Sequence, residues 1–150
     1  MIGIGYDSHR FADGRKLVLG GVEVDHPQGL TGHSDADVVT HAVIDAILGA
    51  AAGGDIGTLF PDSEPQWRDA DSIDLLRTAI GTIGGKVVNV DATVICEAPR
   101  IGPYKSQMEG ILEDATSARV TIKATTNEGM GWIGRGEGIA CIAVAQVEDD

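Results

Sequence analysis

The chain has few aromatic residues, few basic residues and few cysteines. Its 150 residues include 2 Trp, 2 Tyr and 2 Phe, so the core must be built from Val, Ile, Leu and Ala. Eleven Lys and Arg stand against 23 Asp and Glu, and the formal net charge of −12 argues against nucleic-acid binding, which needs a basic surface. We therefore expect any phosphorylated ligand to be held locally, by metal ions and backbone donors.

Long apolar runs are also missing. The longest, such as 46–52, are far shorter than a membrane span, and the N-terminus lacks the basic and apolar regions of a signal peptide. These absences predict a soluble, cytoplasmic protein with no membrane partner. The two cysteines, Cys96 and Cys141, lie in apolar strand-like segments and are expected to be buried thiols rather than a disulfide.

Helical and strand-like patterns alternate along the chain without a linker or a shift in composition. Strands are predicted at 2–9, 16–25 (two short ones), 87–96, 119–125 and 138–147, and helices at 35–52, 72–84 and 104–115. This order indicates a single α+β (mixed α/β) domain over 1–150, with a mixed sheet of four to five strands packed by helices on one face. The last two strands are adjacent in sequence, which predicts that they pair antiparallel.

A carboxylate and two imidazoles come from two separate segments. Asp7 and His9 are two residues apart in the first predicted strand, so their side chains share a face. His41, in a predicted helix, completes a ligand set that suits Zn²⁺ and leaves a fourth position for water or substrate, as in catalytic zinc sites. Taken alone, His41 could instead be a surface histidine in a salt-bridged helix face.

The segment from 33 to 45 predicts how that helix begins. Ser34 followed by Asp37 resembles a capping box, so we expect the helix to start just after Ser34. His33 would then stand immediately before the N-terminus of the helix. There His33 could hydrogen-bond a phosphoryl oxygen or simply pack on the helix start. Asp37 and Asp45 lie four residues on either side of His41, so either carboxylate could accept its second ring N–H.

Three loops have compositions that suit ligand binding. The loop at 53–71 is long for a compact domain. After the strand predicted at 119–125, Glu128 could hold a hard cation such as Mg²⁺ against a diphosphate, although an ordinary polar hairpin has a similar composition. The segment 96–103 could wrap a flat base, with Arg100 available for phosphate, or serve only as a rigid connector.

Motifs in order along nearly the whole chain resemble one enzyme family. They are Asp7-Ser8-His9, the segment 29–38 leading to His41, 54–57 with 60–62, 123–128 and 134–140. In these the chain is similar to the 2-C-methyl-D-erythritol 2,4-cyclodiphosphate synthases of non-mevalonate isoprenoid biosynthesis. The resemblance implies a phosphorus-oxygen lyase that cyclises 4-diphosphocytidyl-2-C-methyl-D-erythritol 2-phosphate to the 2,4-cyclodiphosphate and releases CMP. It also implies a homotrimer whose sheets face the three-fold axis and whose active sites lie between subunits.

The resemblance further assigns roles to residues. It implies one Zn²⁺ per subunit on Asp7, His9 and His41, Mg²⁺ or Mn²⁺ on Glu128 at the substrate diphosphate, and transition-state stabilisation by His33 and Thr126. The substrate contacts it implies are Ser34, Asp55, Ile56, Gly57, Phe60, Pro61, Asp62 and Trp132, with Pro99, Arg100, Ile101, Gly102, Ala124 and Thr125 of a neighbouring subunit around the cytidine. Arg135 and Glu137 would line a cavity on the trimer axis that accepts isoprenoid diphosphates.

Two other functions fit parts of this pattern. A zinc hydrolase would use metal-bound water to attack a phosphate or amide. A non-catalytic trimeric module would bind isoprenoid diphosphates through Arg135 and keep its zinc in a closed shell of four protein ligands. The product formed and the fourth zinc ligand distinguish these alternatives from the cyclising enzyme.

Overall fold

The computed structural model describes residues 1–150, which contain seven strands and five α-helices. The strands are β1 (Ile2–Ala12), β2 (Leu17–Leu19), β3 (Val22–Val24), β4 (Gly29–Leu30), β5 (Lys86–Ile95), β6 (Arg119–Thr125) and β7 (Gly138–Glu148). The helices are α1 (Val38–Ala50), α2 (Ile56–Leu59), α3 (Ser72–Thr82), α4 (Lys105–Thr116) and α5 (Gly131–Gly134). None of the helices has the length and apolar character required to cross a membrane.

The main sheet has five strands in the order β4-β1-β7-β5-β6. β7 runs antiparallel to both β1 and β5, whereas β5 and β6 are parallel, so the predicted mixed α+β fold is confirmed. The prediction that β6 and β7 pair with each other is wrong. β6 follows β5 through helix α4, and such a crossover returns the chain parallel to its starting strand, while β7 crosses to the middle of the sheet.

Helix α1 lies directly against β1 and β7. A Cβ atom placed on Gly3 or Gly5 would collide with the backbone carbonyl of Ala46 or Ala42 in α1, so glycine is what allows this close approach. The core beneath α1 is a cluster of 35 buried residues in which Phe60 is the single aromatic, as the composition predicted. Both cysteines are buried.

On β1 and β7 the other face of the sheet is uncovered and apolar. On β1 and β7 the residues that alternate with the helix-facing ones are exposed, which leaves a band formed by Ile2, Ile4, Tyr6, Ile142 and Val144. Ile4 is 70% exposed, although isoleucine is among the residues most often buried in proteins. A contiguous exposed band of this kind marks an interaction surface.

Helix α1 begins at Val38 rather than just after Ser34 as predicted. Ala36 has a φ of 58°, in the left-handed region, so the helix cannot extend back through it. Asp37 is the N-cap and accepts a hydrogen bond from the Thr40 backbone N–H at 3.0 Å. The Ser34 hydroxyl is therefore not needed for capping and turns toward the interior.

Candidate active site and metal centre

Asp7, His9 and His41 bring one ligand atom each to a single point. Asp7 Oδ2 lies 2.8 Å from His9 Nε2 and 3.1 Å from His41 Nδ1, and the two ring nitrogens are 3.3 Å apart. A tetrahedral zinc ion with bonds of about 2.0 to 2.2 Å keeps its ligand atoms about 3.3 Å from one another. The three atoms are thus close to the spacing that the ion requires, and their chemistry fits it.

The close packing of α1 on β1 creates this cluster. Asp7 and His9 alternate along β1 in phase with Gly3 and Gly5, so all four residues face the helix. His41 projects from α1 toward them and is only 9% exposed. The alternative interpretation of His41 as a surface histidine is therefore wrong.

Electrostatic interactions favour a positive charge within the cluster. Burial raises the pKa of Asp7, but hydrogen bonds with His41 and His9 and the charges of these rings outweigh burial and lower the pKa overall. Burial lowers the pKa of His41, but its hydrogen bond to Asp7 and the charges of Asp7, Asp37 and Asp35 raise the pKa overall. The site thus stabilises a proton or a metal ion between the carboxylate and the imidazoles.

The second ring nitrogen of His41 does not contact either carboxylate predicted to support it. Its Nε2 lies 2.8 Å from Ser72 Oγ and 3.0 Å from Ser34 Oγ. Asp37 instead caps α1 and accepts from two backbone N–H groups at 20–21, while Asp45 accepts from the first N–H of α2. The helical spacing placed both carboxylates on the correct stripe, but nearer backbone donors engage them, so the prediction for Asp37 and Asp45 is wrong.

We call the three side chains of Asp7, His9 and His41 the metal cluster. A cleft of about 380 Å³, within the size range of small-molecule sites, opens at this cluster. It is lined by the predicted site residues Asp7, His9, His33, Ser34, His41, Ile56, Gly57, Phe60 and Asp62, together with Gly32, Trp67 and Leu75. Asp55 and Pro61 are not among the lining residues. Asp55 caps α2, and its hydrogen bonds from Thr58 lower the pKa of its carboxyl. The cleft thus joins residues from β1, α1 and the long 53–71 loop.

The segment that carries His33 is held from two sides. The guanidinium of Arg15 donates to the carbonyls of Gly32 at 3.0 Å and Ser34 at 2.7 Å. His33 Nε2 lies 3.2 Å from the carbonyl of Glu64, and the His33 carbonyl accepts from the Asp69 N–H. These contacts keep the His33 ring at the cleft, and Arg15 is a contributor that the sequence pattern did not reveal.

The remaining predicted site residues lie toward the opposite edge of the sheet. Asp7, Cys141, Val94 and Ala124 are in register across β1, β7, β5 and β6, so Ala124 is three strand spacings, about 14 Å, from Asp7. Around that edge are the residues predicted to bind cytidine and the second metal: Pro99, Arg100, Ile101, Gly102, Ala124, Thr125, Thr126 and Glu128. None of these residues lines the cleft of the same chain.

Two further predicted residues belong to a different surface. Trp132 lines a smaller cavity together with Ser8, Arg10 and Glu137, and His9 lines both that cavity and the cleft. Arg135 forms an ion pair with Glu137, with Nε 2.6 Å from Oε2. Neither Trp132 nor Arg135 lines the cleft.

The loop that carries Glu128 is held by a carboxylate that sequence reasoning missed. The two oxygens of Glu97 accept from the backbone N–H groups of Asn127, at 2.7 Å, and Gly129, at 3.0 Å. Glu128, between them, has a φ of 55°. Glu97 thus holds both sides of a strained turn whose central side chain is the proposed ligand of a second cation.

Replacing Glu97 by alanine should loosen this turn. Each lost hydrogen bond to a charged acceptor is worth about 1.5 to 3 kcal/mol, so the Asn127 and Gly129 amides should exchange with solvent at least about tenfold faster. Glu97→Gln retains one acceptor oxygen and should give an intermediate rate. Hydrogen exchange followed by NMR measures both, and unchanged exchange in Glu97→Ala would show that the carboxylate does not hold the loop.

Comparison with known proteins places the chain in a family. The sequence profile of the YgbB family matches residues 1–148. The chain is 54% identical over 153 residues to the 2-C-methyl-D-erythritol 2,4-cyclodiphosphate synthase of Symbiobacterium thermophilum, with 98% of each chain covered. It is 52% identical to the bifunctional enzyme IspD/IspF of Desulforudis audaxviator, over 97% of this chain and 38% of that protein.

Solved structures give the same result. The fold superposes on the bifunctional IspDF from Campylobacter jejuni with a TM-score of 0.91 and 38% identity, covering 99% of this chain and 42% of that one. It superposes on a CDP-bound 2C-methyl-D-erythritol-2,4-cyclodiphosphate synthase with a TM-score of 0.89 and 33% identity, covering 99% of this chain and 100% of that one. The chain therefore belongs to the YgbB family and is an enzyme of the 2-C-methyl-D-erythritol 2,4-cyclodiphosphate synthase type, which serves isoprenoid biosynthesis.

Proposed function

We propose that this protein converts 4-diphosphocytidyl-2-C-methyl-D-erythritol 2-phosphate to the 2,4-cyclodiphosphate and CMP, using zinc held by Asp7, His9 and His41. The observation that carries the proposal is the set of three ligand atoms, which lie 2.8 to 3.3 Å apart at the cleft of a chain that belongs to the YgbB family. The cluster contains these three residues and no fourth His, Cys, Asp or Glu. This favours an open coordination position over a closed structural shell.

The reaction brings several negative charges together. An oxygen of the 2-phosphate attacks the phosphorus of the diphosphate that is bonded to the methylerythritol. A new P–O bond forms, and the bond from that phosphorus to the bridging oxygen breaks with its electron pair leaving on CMP. Catalysis of such a step rests on positioning and charge neutralisation. Asp7, His9 and His41 would hold a zinc ion that would act as a Lewis acid on the phosphoryl oxygens, and Glu128 would hold Mg²⁺ or Mn²⁺, which would neutralise charge on the diphosphate.

The chain's own side chains would orient the substrate. His33, held at the cleft by its loop contacts, would hydrogen-bond a phosphoryl oxygen with its ring, and Thr126 would donate from the other side. Ile56, Gly57, Phe60 and Asp62 would enclose the methylerythritol portion. No protein nucleophile is required, and burial raises the pKa of Cys96 to about 11, which keeps its thiol protonated and unreactive.

The proposed enzyme works as a homotrimer with shared active sites. The exposed band on β1 and β7 supplies an apolar surface for association, with the sheets facing the three-fold axis. The cleft and the residues around Glu128 lie toward opposite edges of the sheet, so a neighbouring chain would bring the residues around Glu128 to the cleft. The CDP bound to the structurally similar 2C-methyl-D-erythritol-2,4-cyclodiphosphate synthase supports a cytidine nucleotide as the ligand.

Subunit complementation tests the shared site. Chains with His41→Ala and chains with Glu128→Ala should each be nearly inactive, but a co-expressed mixture should regain activity. In any mixed trimer one junction of the three joins an intact metal cluster to an intact Glu128, so these trimers should reach about one third of wild-type activity. Light scattering on the wild type should give three times 15.6 kDa. No recovery in trimers shown by mass spectrometry to be mixed would place the whole site in one chain.

The product tests the reaction itself. With substrate, Zn²⁺ and Mg²⁺, the purified protein should release CMP and form the cyclic diphosphate, identified by ³¹P NMR and mass spectrometry. A linear, hydrolysed product would instead identify the protein as a zinc hydrolase. We further propose that the protein binds isoprenoid diphosphates near Arg135. We also propose that it is located in the cytoplasm.

A further inference from the structure

A chain of hydrogen bonds leads away from the metal cluster through Nε2, the second ring nitrogen of His41. A neutral imidazole has one N–H donor and one lone pair, and the group bound to one nitrogen decides which form is populated. His41 Nδ1 faces Asp7 and His9, while Nε2 lies 2.8 Å from Ser72 Oγ. For Nδ1 to bind a metal, Nε2 must hold the proton and needs an acceptor.

Asp35 orients the Ser72 hydroxyl so that the Ser72 oxygen can be that acceptor. A serine hydroxyl can either donate or accept, but Ser72 Oγ also makes a short hydrogen bond to Asp35 Oδ1, and an ionised carboxylate accepts only. The hydroxyl hydrogen therefore points at Asp35, and the Ser72 lone pairs are left for the Nε2–H of His41. Asp35 cannot turn away, because it also accepts from the N–H groups of Asp37 at 3.1 Å and Ser72 at 3.0 Å.

Neither Ser72 nor Asp35 is the N-cap residue of a helix. Asp71 is the N-cap of α3 and accepts from Ile73 N–H at 2.8 Å, while Asp37 caps α1. Ser72 is fully buried, so water does not replace its hydroxyl at His41. The Ser34 hydroxyl also lies near Nε2, at 3.0 Å, but it has no carboxylate behind it to orient it.

We propose that Ser72 and Asp35 are positioning residues that hold His41 in the Nε2–H form, so that Nδ1 presents its lone pair to the metal. This inference rests on the proposed zinc site and adds residues that do not touch the ion. Partners that orient a metal-bound histidine typically contribute a factor of about 10 to 100 in metal affinity. The pair also ties the first residue of α3 to the start of α1, which transmits the position of α3 to the metal ligand.

The test measures zinc affinity and the His41 Nε2–H hydrogen bond separately in the full chain. Zinc affinity is measured by competition with a chromophoric chelator, and the exchange of the Nε2–H proton with solvent is followed by NMR in the zinc-loaded protein. Ser72→Ala should weaken zinc binding by about 10- to 100-fold and make the Nε2–H proton exchange faster. Combining it with Asp35→Ala should add little, because the two residues act through one path.

Asp71→Ala is the matched control. It removes the cap of α3 and should lower the melting temperature, but it leaves the path to His41 intact, so zinc affinity should stay within about threefold of wild type. An equal loss of affinity in Asp71→Ala and Ser72→Ala, or unchanged exchange of the His41 Nε2–H proton in zinc-loaded Ser72→Ala, would overturn the inference and leave a merely structural role. Absence of zinc binding in the wild type would instead refute the proposed metal site itself.

Discussion

Replacing His41 by alanine should lower the rate of CMP release by about 1000-fold or more. The metal cluster would lose one of its three ligands, and a metal acting as a Lewis acid on a phosphoryl group contributes several kcal/mol, with each 1.36 kcal/mol worth a factor of ten. Bound zinc, measured on the purified protein, should fall from one equivalent per chain toward zero. The rate is measured as CMP formed under saturating substrate, Zn²⁺ and Mg²⁺.

A second histidine provides a matched control. His26 hydrogen-bonds within its own turn, to Gln28, and does not line the cleft. His26→Ala should therefore retain full zinc content and turnover close to that of the wild type. Turnover by His41→Ala that equals the wild-type rate would contradict the proposed metal site, whereas loss of zinc with full activity would contradict a catalytic role for the ion.

The second large effect concerns the contact between α1 and β1. A Cβ atom on Gly5 would collide with the carbonyl of Ala42 and would lie 2.7 Å from the backbone N of Ala46. Neither is a flexible side chain, so Gly5→Ala must push the helix away from the strand. Overpacking of this kind costs about 3 kcal/mol or more, and here it also separates His41 from Asp7 and His9. Urea unfolding and zinc affinity should both show the loss.

Gly110 in α4 offers the corresponding control, since a Cβ atom there meets no atom within 4 Å. Gly110→Ala should leave zinc affinity unchanged and raise stability by up to about 1 kcal/mol, because alanine favours a helix interior more than glycine does. A Gly5→Ala protein as stable as the wild type would show that α1 can shift freely on the sheet. The metal geometry would then not depend on this close approach.

Local patterns were sufficient for most of the secondary structure. The strand and helix periodicities predicted the main elements within a few residues, because each depends on which side chains alternate between core and solvent. The predictions failed where the structure depends on an unusual backbone conformation or on pairing between strands that are distant in the sequence. The left-handed conformation of Ala36 moves the start of α1 to Val38, and the crossover through α4 gives β6 a different partner from the one its sequence neighbour suggested.

The same division holds for the site. By itself, the sequence determined the ligand chemistry: Asp7 and His9 two apart in a strand, with an imidazole on a later helix, are the residue types from which zinc sites are built. Only the tertiary structure decided that they do meet, since the glycines of β1 admit α1 to contact distance. It alone revealed Ser72, Asp35 and Glu97, because hydrogen bonds between groups about 30 residues apart leave no periodic signal in the chain.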